Sequence, residues 1–487
     1  MPVLQLPSSV HSVQCQLMTS RSRAGISIDY SRENFDMSKL IRFSALALAL
    51  LTVVSCSLYF GSPDDHDSPM PSEEEYFNVT GDEQLKFEEI IEVLFSEEGP
   101  ASEMTSFRGQ IMNMADQKNK SLRQRLQNDD AEYGYRRVVY TYKSVDAHDK
   151  DVELSASLLW PGYFIGSEWH DLKPENICLL EHYTITSDKE SPTGGYQFEP
   201  YAVGNSLFVV PDYIGYGITA DMVHPYLNHN LCAINSIDAL EAGFSAFCEM
   251  SEEGLNEKWK LYVLGASQGG ANALAVHKYL DTNEEVGKLW RFEYSNCAAG
   301  PHSPVITMET YFESGVTTYP VLFPLVFKSY IYSYPDILGA FTEDQFYSDK
   351  YLAVKDQIDQ MISGKEHKVK DINMLILTET KDLFDSSIGL TELYLSDILS
   401  PEIMDPESAI YQALLKCLEI NDLTVGWTPS HPIKLYHSSA DVVVPYENSL
   451  AVKEAFGTNV TITRDIMNSD HVTSTAMWML TLMIGGV

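Results

Sequence analysis

Three short runs constrain this chain more than anything else in it. Residues 177–181, 206–211 and 260–264 are almost wholly apolar, without alternation, and each leads into a loop or a helix-like stretch. A strand that faces water on one side alternates apolar and polar residues, so unbroken runs mark strands buried on both faces. Strands of that kind separated by helices form a parallel sheet covered above and below, which makes the fold class α/β. Two further strands are expected at 294–299 and 433–437. A hairpin is expected at 135–142 and 152–160, turned at Asp146-Ala-His-Asp149.

Residues 302–428 separate the last two of those strands, far more chain than one crossover needs. A second substructure must sit there. Its first part is dense in aromatics (Phe312, Tyr319, Phe323, Phe327, Tyr330) and its remainder is helical in pattern, so it is read as a cap over the C-terminal edge of the sheet. Ahead of the sheet, apolar positions from 82 to about 128 (Leu85, Ile90, Ile91, Leu94, Ile111, Leu122) predict helices broken near Gly99-Pro100 that pack on the domain behind them.

The N-terminus reads as an address. Residues 1–36 lack any period and are read as an over-extended start. Met37-Ser-Lys39-Leu-Ile-Arg42 opens a basic segment, 44–54 is apolar, and Val53-Val54-Ser55-Cys56 closes it. The apolar run is shorter than the roughly 20 residues that span a bilayer as a helix. The segment resembles a bacterial lipoprotein signal, which implies translation from Met37, removal of residues 37–55 and a lipid on Cys56. That resemblance implies an exported protein anchored at the outer membrane, facing the periplasm or the surface. The acidic, proline-containing stretch 56–81 then acts as a tether, and the folded part divides into 82–301, the cap 302–428 and 429–487.

Composition excludes other classes. With 33 Lys+Arg against 69 Asp+Glu the formal charge is −36, and such a surface repels phosphate backbones, so no nucleic-acid partner is expected. Seven scattered cysteines make no disulfide framework, and no CxxC or HExxH spacing offers a metal site, so no metal or other cofactor is expected. Cys232 and Cys248, if on one helix, lie about 24 Å apart and cannot bridge.

The chemistry sits on the third buried run. Trp259-Lys-Leu-Tyr-Val-Leu-Gly265-Ala-Ser267-Gln-Gly269-Gly is a strand, a tight turn and the start of a small-residue helix. Glycines on either side let the two backbones approach, leaving Ser267 exposed at the tip. A serine hydroxyl is a weak nucleophile and needs a base oriented by an acid. Leu435-Tyr-His437-Ser-Ser-Ala-Asp441 places Asp441 on a loop after a strand, and Asn468-Ser-Asp470-His471 follows about thirty residues on. His437 competes as base and Asp470 as acid. The former sits at a strand end where it can support the turn; the latter is too near His471 in sequence to reach its far ring nitrogen.

Through these motifs, residues 130–301 and 429–487 resemble the α/β-hydrolase superfamily, most nearly secreted lipases and esterases with a helical cap inserted before the acid's strand. Pro211-Asp-Tyr-Ile-Gly-Tyr-Gly217 matches a loop frequent in that group. The resemblance implies a mostly parallel central sheet with helices on both faces, Ser267 as nucleophile, Asp441 as acid and His471 as base. It implies an oxyanion hole from the backbone N–H of Gln268 and one from the loop after the third strand. That loop reads Glu181-His182-Tyr183-Thr184, with Tyr183 where the group usually has glycine, and Thr184 is taken as the second donor. The expected substrate is a small-molecule or lipid ester, cleaved through an acyl-enzyme, with the membrane met only through the N-terminal anchor. A serine peptidase on the same fold and a non-catalytic surface-binding lipoprotein are the competing functions.

Two motif matches are set aside. Trp169-His170-Asp171-Leu-Lys173-Pro-Glu-Asn176 resembles a kinase catalytic loop, but the chain has no glycine-rich phosphate loop upstream and no D-F-G. Gly215-Tyr-Gly217-Ile-Thr-Ala220 fits a dinucleotide fingerprint in letters only, since neither the strand nor the helix sits where that fingerprint needs it.

Overall fold

The computed structural model describes residues 77–96, 105–195, 204–382 and 387–485. The signal segment, its start at Met37 and the proposed lipid site Cys56 lie outside them. Ten strands form one sheet, and two short strands pair within the cap.

The strands are β1 (Phe77–Lys86), β2 (Ala131–Val145), β3 (Asp151–Ile165), β4 (Glu168–Asp171), β5 (Asn176–Glu181), β6 (Ser206–Pro211), β7 (Leu261–Ala266), β8 (Phe292–Ala298), β9 (Val316–Thr317), β10 (Leu393–Tyr394), β11 (Ile433–His437) and β12 (Val460–Arg464). The large sheet runs β1-β2-β3-β6-β5-β7-β8-β11-β12, with β4 beside β3. From β6 to β12 every pairing is parallel, whereas β1 to β3 add an antiparallel edge. Both faces are covered, as unbroken apolar strands require. On one face Phe87, Ile91, Leu122 and Trp478 join Tyr135, Phe208 and Leu264 in a single core. On the other, helix α1 (His229–Met250) lies so close that a Cβ at Gly243 would sit 2.5 Å from the Tyr140 hydroxyl and 3.2 Å from Val209.

The N-terminal edge differs from the sequence pattern. The tether is expected to run to 81 and helices to start at 82; instead Phe77–Lys86 is a strand, and helix begins at Phe87. Only Phe77, Val79 and Leu85 are apolar on its inner side, with Gly81 and Glu83 between them and a register shift at Val79/Gly81, so the alternation is hidden. Cross-strand charges hold it to β2: Arg136 to Asp82 at 2.8 Å and Arg137 to Glu83 at 2.7 Å. The hairpin is also longer than its apolar cores. Asp146 accepts the backbone N–H of His148 and Lys150 in the turn, and Asp149 adopts φ 57°.

The kinase-like stretch is structural. Asp171, at the end of β4, accepts the indole N–H of both Trp160 and Trp169 at 2.8 Å. Gly215 and Gly217 lie in a loop with a 3-10 turn at Gly217–Thr219, and the long helix starts only at His229. Cys232 and Cys248 both lie on that helix, sixteen residues apart.

Between β8 and β11 the described residues are mostly helical apart from β9 and β10, and they build a core of their own, including Phe327, Tyr330, Phe346, Ile376 and Leu414. Tyr226 and Leu227, from the loop ahead of α1, belong to that same core and tie it to the sheet.

Candidate active site

The parallel strands switch direction of travel at β5, which lies between β6 and β7 although it precedes both. Ligands of open α/β sheets bind beyond the carboxyl ends of strands at such a point. The chain leaves β7 there through Ser267, whose backbone is strained at φ 56°, ψ −122°, and enters helix α2 (Gln268–Thr282). Two glycines make this turn possible. A Cβ on Gly265 would lie 2.1 Å from the Gly269 carbonyl, and one on Gly269 would lie 2.0 Å from the Glu181 carbonyl at the end of β5. The Ser267 N–H is anchored on the Ala298 carbonyl of β8 at 2.8 Å.

Two loops from the far edge converge on the hydroxyl. His471 opens helix α3 (His471–Gly485), and its Nε2 is 2.9 Å from Ser267 Oγ, while its Nδ1 is 2.6 Å from Asp441 Oδ2. Asp441 is fully enclosed and also accepts the N–H groups of Val443 and Val444, both on Oδ1 at 2.9 Å. Burial pushes its carboxyl up, but the electrostatic interaction with the His471 imidazole and the hydrogen bonds from His437 and His471 outweigh that and hold it well below the usual carboxylate range.

The competing residues have other partners. His437 is buried with Nε2 donating to the Val444 carbonyl at 3.0 Å and Nδ1 2.8 Å from Ser449 Oγ, so it braces the Asp441 loop. Its Nε2 also stands 3.3 Å from Asp441 Oδ2. Asp470 caps the helix that His471 opens, accepting the Thr473 N–H at 2.9 Å.

Gln268 is the first residue of its helix, so its N–H has no acceptor within that helix. Its side chain is buried against His224, amide Nε2 to ring Nε2 at 2.8 Å, while His224 Nδ1 donates to the Ile214 carbonyl at 2.8 Å. Burial lowers His224 to about 3, which keeps the ring neutral. Thr184 and Tyr183 face the same cavity as Ser267, and Thr184 Oγ1 pairs with the Tyr226 hydroxyl at 2.9 Å. Neighbouring side chains hold these groups in place. His182 stacks on Tyr213 with ring centroids 4.0 Å apart, and buried Glu181 accepts from Ser236 at 3.1 Å. Burial raises the Glu181 carboxyl to about 7.

A cavity of about 830 Å³ opens over Ser267 and His471. The cap supplies most of its wall, with Phe312, Tyr319, Phe323, Phe327, Met374 and Leu414 among the lining residues. Of the aromatics singled out in the cap, Tyr330 is instead buried in the cap's own core. A few polar groups, Glu190, Lys368 and Lys370, join the lining.

Strand order, the elbow after β7, and the loops after β11 and β12 define the class: the chain has the α/β-hydrolase fold. It is similar to the crystal structure of a ligand-bound form of the rice cell wall degrading esterase LipA from Xanthomonas oryzae. The TM-score is 0.56 and the identity 17%, covering 83% of this chain and 96% of that one. It is similar likewise to a putative hydrolase from Legionella pneumophila, with TM-score 0.58 and 17% identity over 84% of this chain and 95% of that one. No protein-family model matches the chain, and no curated protein matches it by sequence.

Proposed function

We propose that the protein is a serine hydrolase that cleaves carboxylic esters, in the manner of a lipase or esterase. The observation that carries this is the continuous hydrogen-bonded line from Asp441 through His471 to Ser267, ending at the floor of a largely apolar cavity. Ser267 Oγ attacks the ester carbonyl while His471 Nε2 accepts its proton. The Asp441 carboxylate holds the Nδ1–H tautomer and stabilises the imidazolium that forms. The carbonyl oxygen, now anionic, is met by the N–H groups of Gln268 and Thr184. Collapse expels the alcohol, which takes the proton from His471, and leaves Ser267 acylated. Water, deprotonated by the same ring, then releases the acid and restores the hydroxyl.

The ester assignment is supported by the aromatic and aliphatic wall contributed by the cap, which suits an apolar acyl chain and offers few partners for a peptide backbone. The same fold carries an esterase in Xanthomonas oryzae.

Labelling by a fluorophosphonate probe, with loss of label in Ser267→Ala, tests the nucleophile. Rates on nitrophenyl esters against peptide anilides then test the bond. Faster turnover of anilides would replace the ester reading with a peptidase, and a folded protein that takes no label would be a binding protein.

A further inference from the structure

Some 20 Å from the elbow, at the other end of α2, a second group of side chains converges that the proposed hydrolysis does not use. His277 and Asp281 lie one turn apart on α2, and His431 comes from the segment leading into β11. Their ligand atoms all fall within 4.8 Å of one another: His277 Nε2 is 3.0 Å from Asp281 Oδ2, and His431 Nδ1 is 2.5 Å from Asp281 Oδ1. Among the described residues this is the only group of three or more His, Cys, Asp and Glu side chains so gathered.

We propose that His277, Asp281 and His431 form a binding site for one divalent transition-metal ion of the zinc type, which staples the elbow helix to the strand that leads to Asp441. Two imidazoles and one carboxylate, with a fourth position left to water, are a donor set that Zn²⁺ accepts in tetrahedral geometry. Bonds of about 2.0–2.1 Å in that geometry place ligand atoms about 3.4 Å apart. The His277–Asp281 separation is near this already. The widest separation in the group, up to 4.8 Å, must close by somewhat over an ångström, and the His431 side chain is 41% exposed, so it can move without repacking.

The surroundings are built as a metal's outer shell is built. His277 Nδ1, the nitrogen that would not bind metal, lies 2.7 Å from Ser295 Oγ, which can accept its proton. The Asp281 carboxylate is already oriented by the N–H groups of Ser430 at 2.6 Å and His431 at 3.3 Å. The rings of Phe292 and Trp427 stand 4.7 Å and 5.5 Å from His277 and keep water from its inner side. Binding places Zn²⁺ between two imidazole nitrogens and one carboxylate oxygen and releases any proton that those nitrogens carry to solvent.

The test uses the full chain without an affinity tag, stripped with a chelator and dialysed against Zn²⁺ alone. One Zn²⁺ per chain is expected, with a rise in melting temperature that chelator reverses, and Co²⁺ in its place should give the intense visible absorption of a tetrahedral site. His431→Ala, at a half-exposed position, should keep the fold and lose both the bound metal and the thermal shift. Ser295→Ala should weaken Zn²⁺ binding by about 10–100-fold. Equal metal content in wild type and His431→Ala would overturn the site in favour of scattered binding to the acidic surface. No bound metal in folded wild type would overturn it too, leaving a His–Asp–His hydrogen-bond network.

Discussion

Replacing Asp441 by asparagine isolates what its carboxylate does. Val443 and Val444 both donate to Oδ1, so the asparagine oxygen stays on that side and the amide NH₂ takes the place of Oδ2. That NH₂ then faces His471 Nδ1, at the position where the carboxylate oxygen sits 2.6 Å away. A donor there selects the ring tautomer with its lone pair on Nδ1 and its proton on Nε2. The nitrogen 2.9 Å from Ser267 Oγ is then already protonated and cannot accept the serine proton. A wrong tautomer in an otherwise intact triad typically lowers kcat by about 10⁴, equivalent to about 5 kcal/mol of transition-state stabilisation. The NH₂ also opposes the Nε2–H of His437 at 3.3 Å, so some stability should be lost as well, about 1–3 kcal/mol. The assay is kcat/KM on a nitrophenyl ester near neutral pH, with circular dichroism and melting temperature run in parallel. Asp470→Ala is the control: it removes a helix cap, costing about 1 kcal/mol, and should leave kcat near wild type. Should Asp441→Asn keep more than a tenth of wild-type kcat while Asp470→Ala loses several orders, the assignment of the acid is refuted.

Three further outcomes are expected. Ser267→Gly should melt higher than Ser267→Ala, by the equivalent of about 1 kcal/mol, because only glycine relieves the positive φ at the elbow; equal melting would deny the strain. Burial of Glu181 raises its carboxyl from 4.5 to about 7, so this group's contribution to stability is full below pH 4.5 and is lost as pH rises through 7. The loss is worth up to about 3 kcal/mol. Glu181→Gln should therefore flatten the fall in melting temperature between pH 5 and pH 8 relative to wild type, read by differential scanning fluorimetry. Cys56→Ser should abolish incorporation of labelled palmitate and release the protein from membranes if the lipoprotein reading of residues 37–56 is sound; unchanged membrane association would reject it.

What the sequence makes legible follows from how local each signal is. Strands β5, β6 and β7 declare themselves because burial on both faces leaves no room for polar residues, and the elbow declares itself because Gly265 and Gly269 answer to contacts 2.1 Å and 2.0 Å from a would-be Cβ. The edge strand β1 is silent for the opposite reason: its hold on β2 includes charge pairs from Asp82 and Glu83, acidic residues whose pattern reads as the start of a helix rather than as a strand. The acid and base of the candidate site are legible only as an order along the chain, since their meeting depends on β11 and β12 lying beside β8. Helix α2 then links the two polar centres physically. It begins at Gln268, behind the strained serine, and its last turn sets Asp281 against the entry to β11, whose other end leads to Asp441. One helix and one strand thus position both Ser267 and Asp441. The contacts of Asp281 with Ser430 and His431 thus lie outside the cavity, at the far end of the helix that Ser267 leads into.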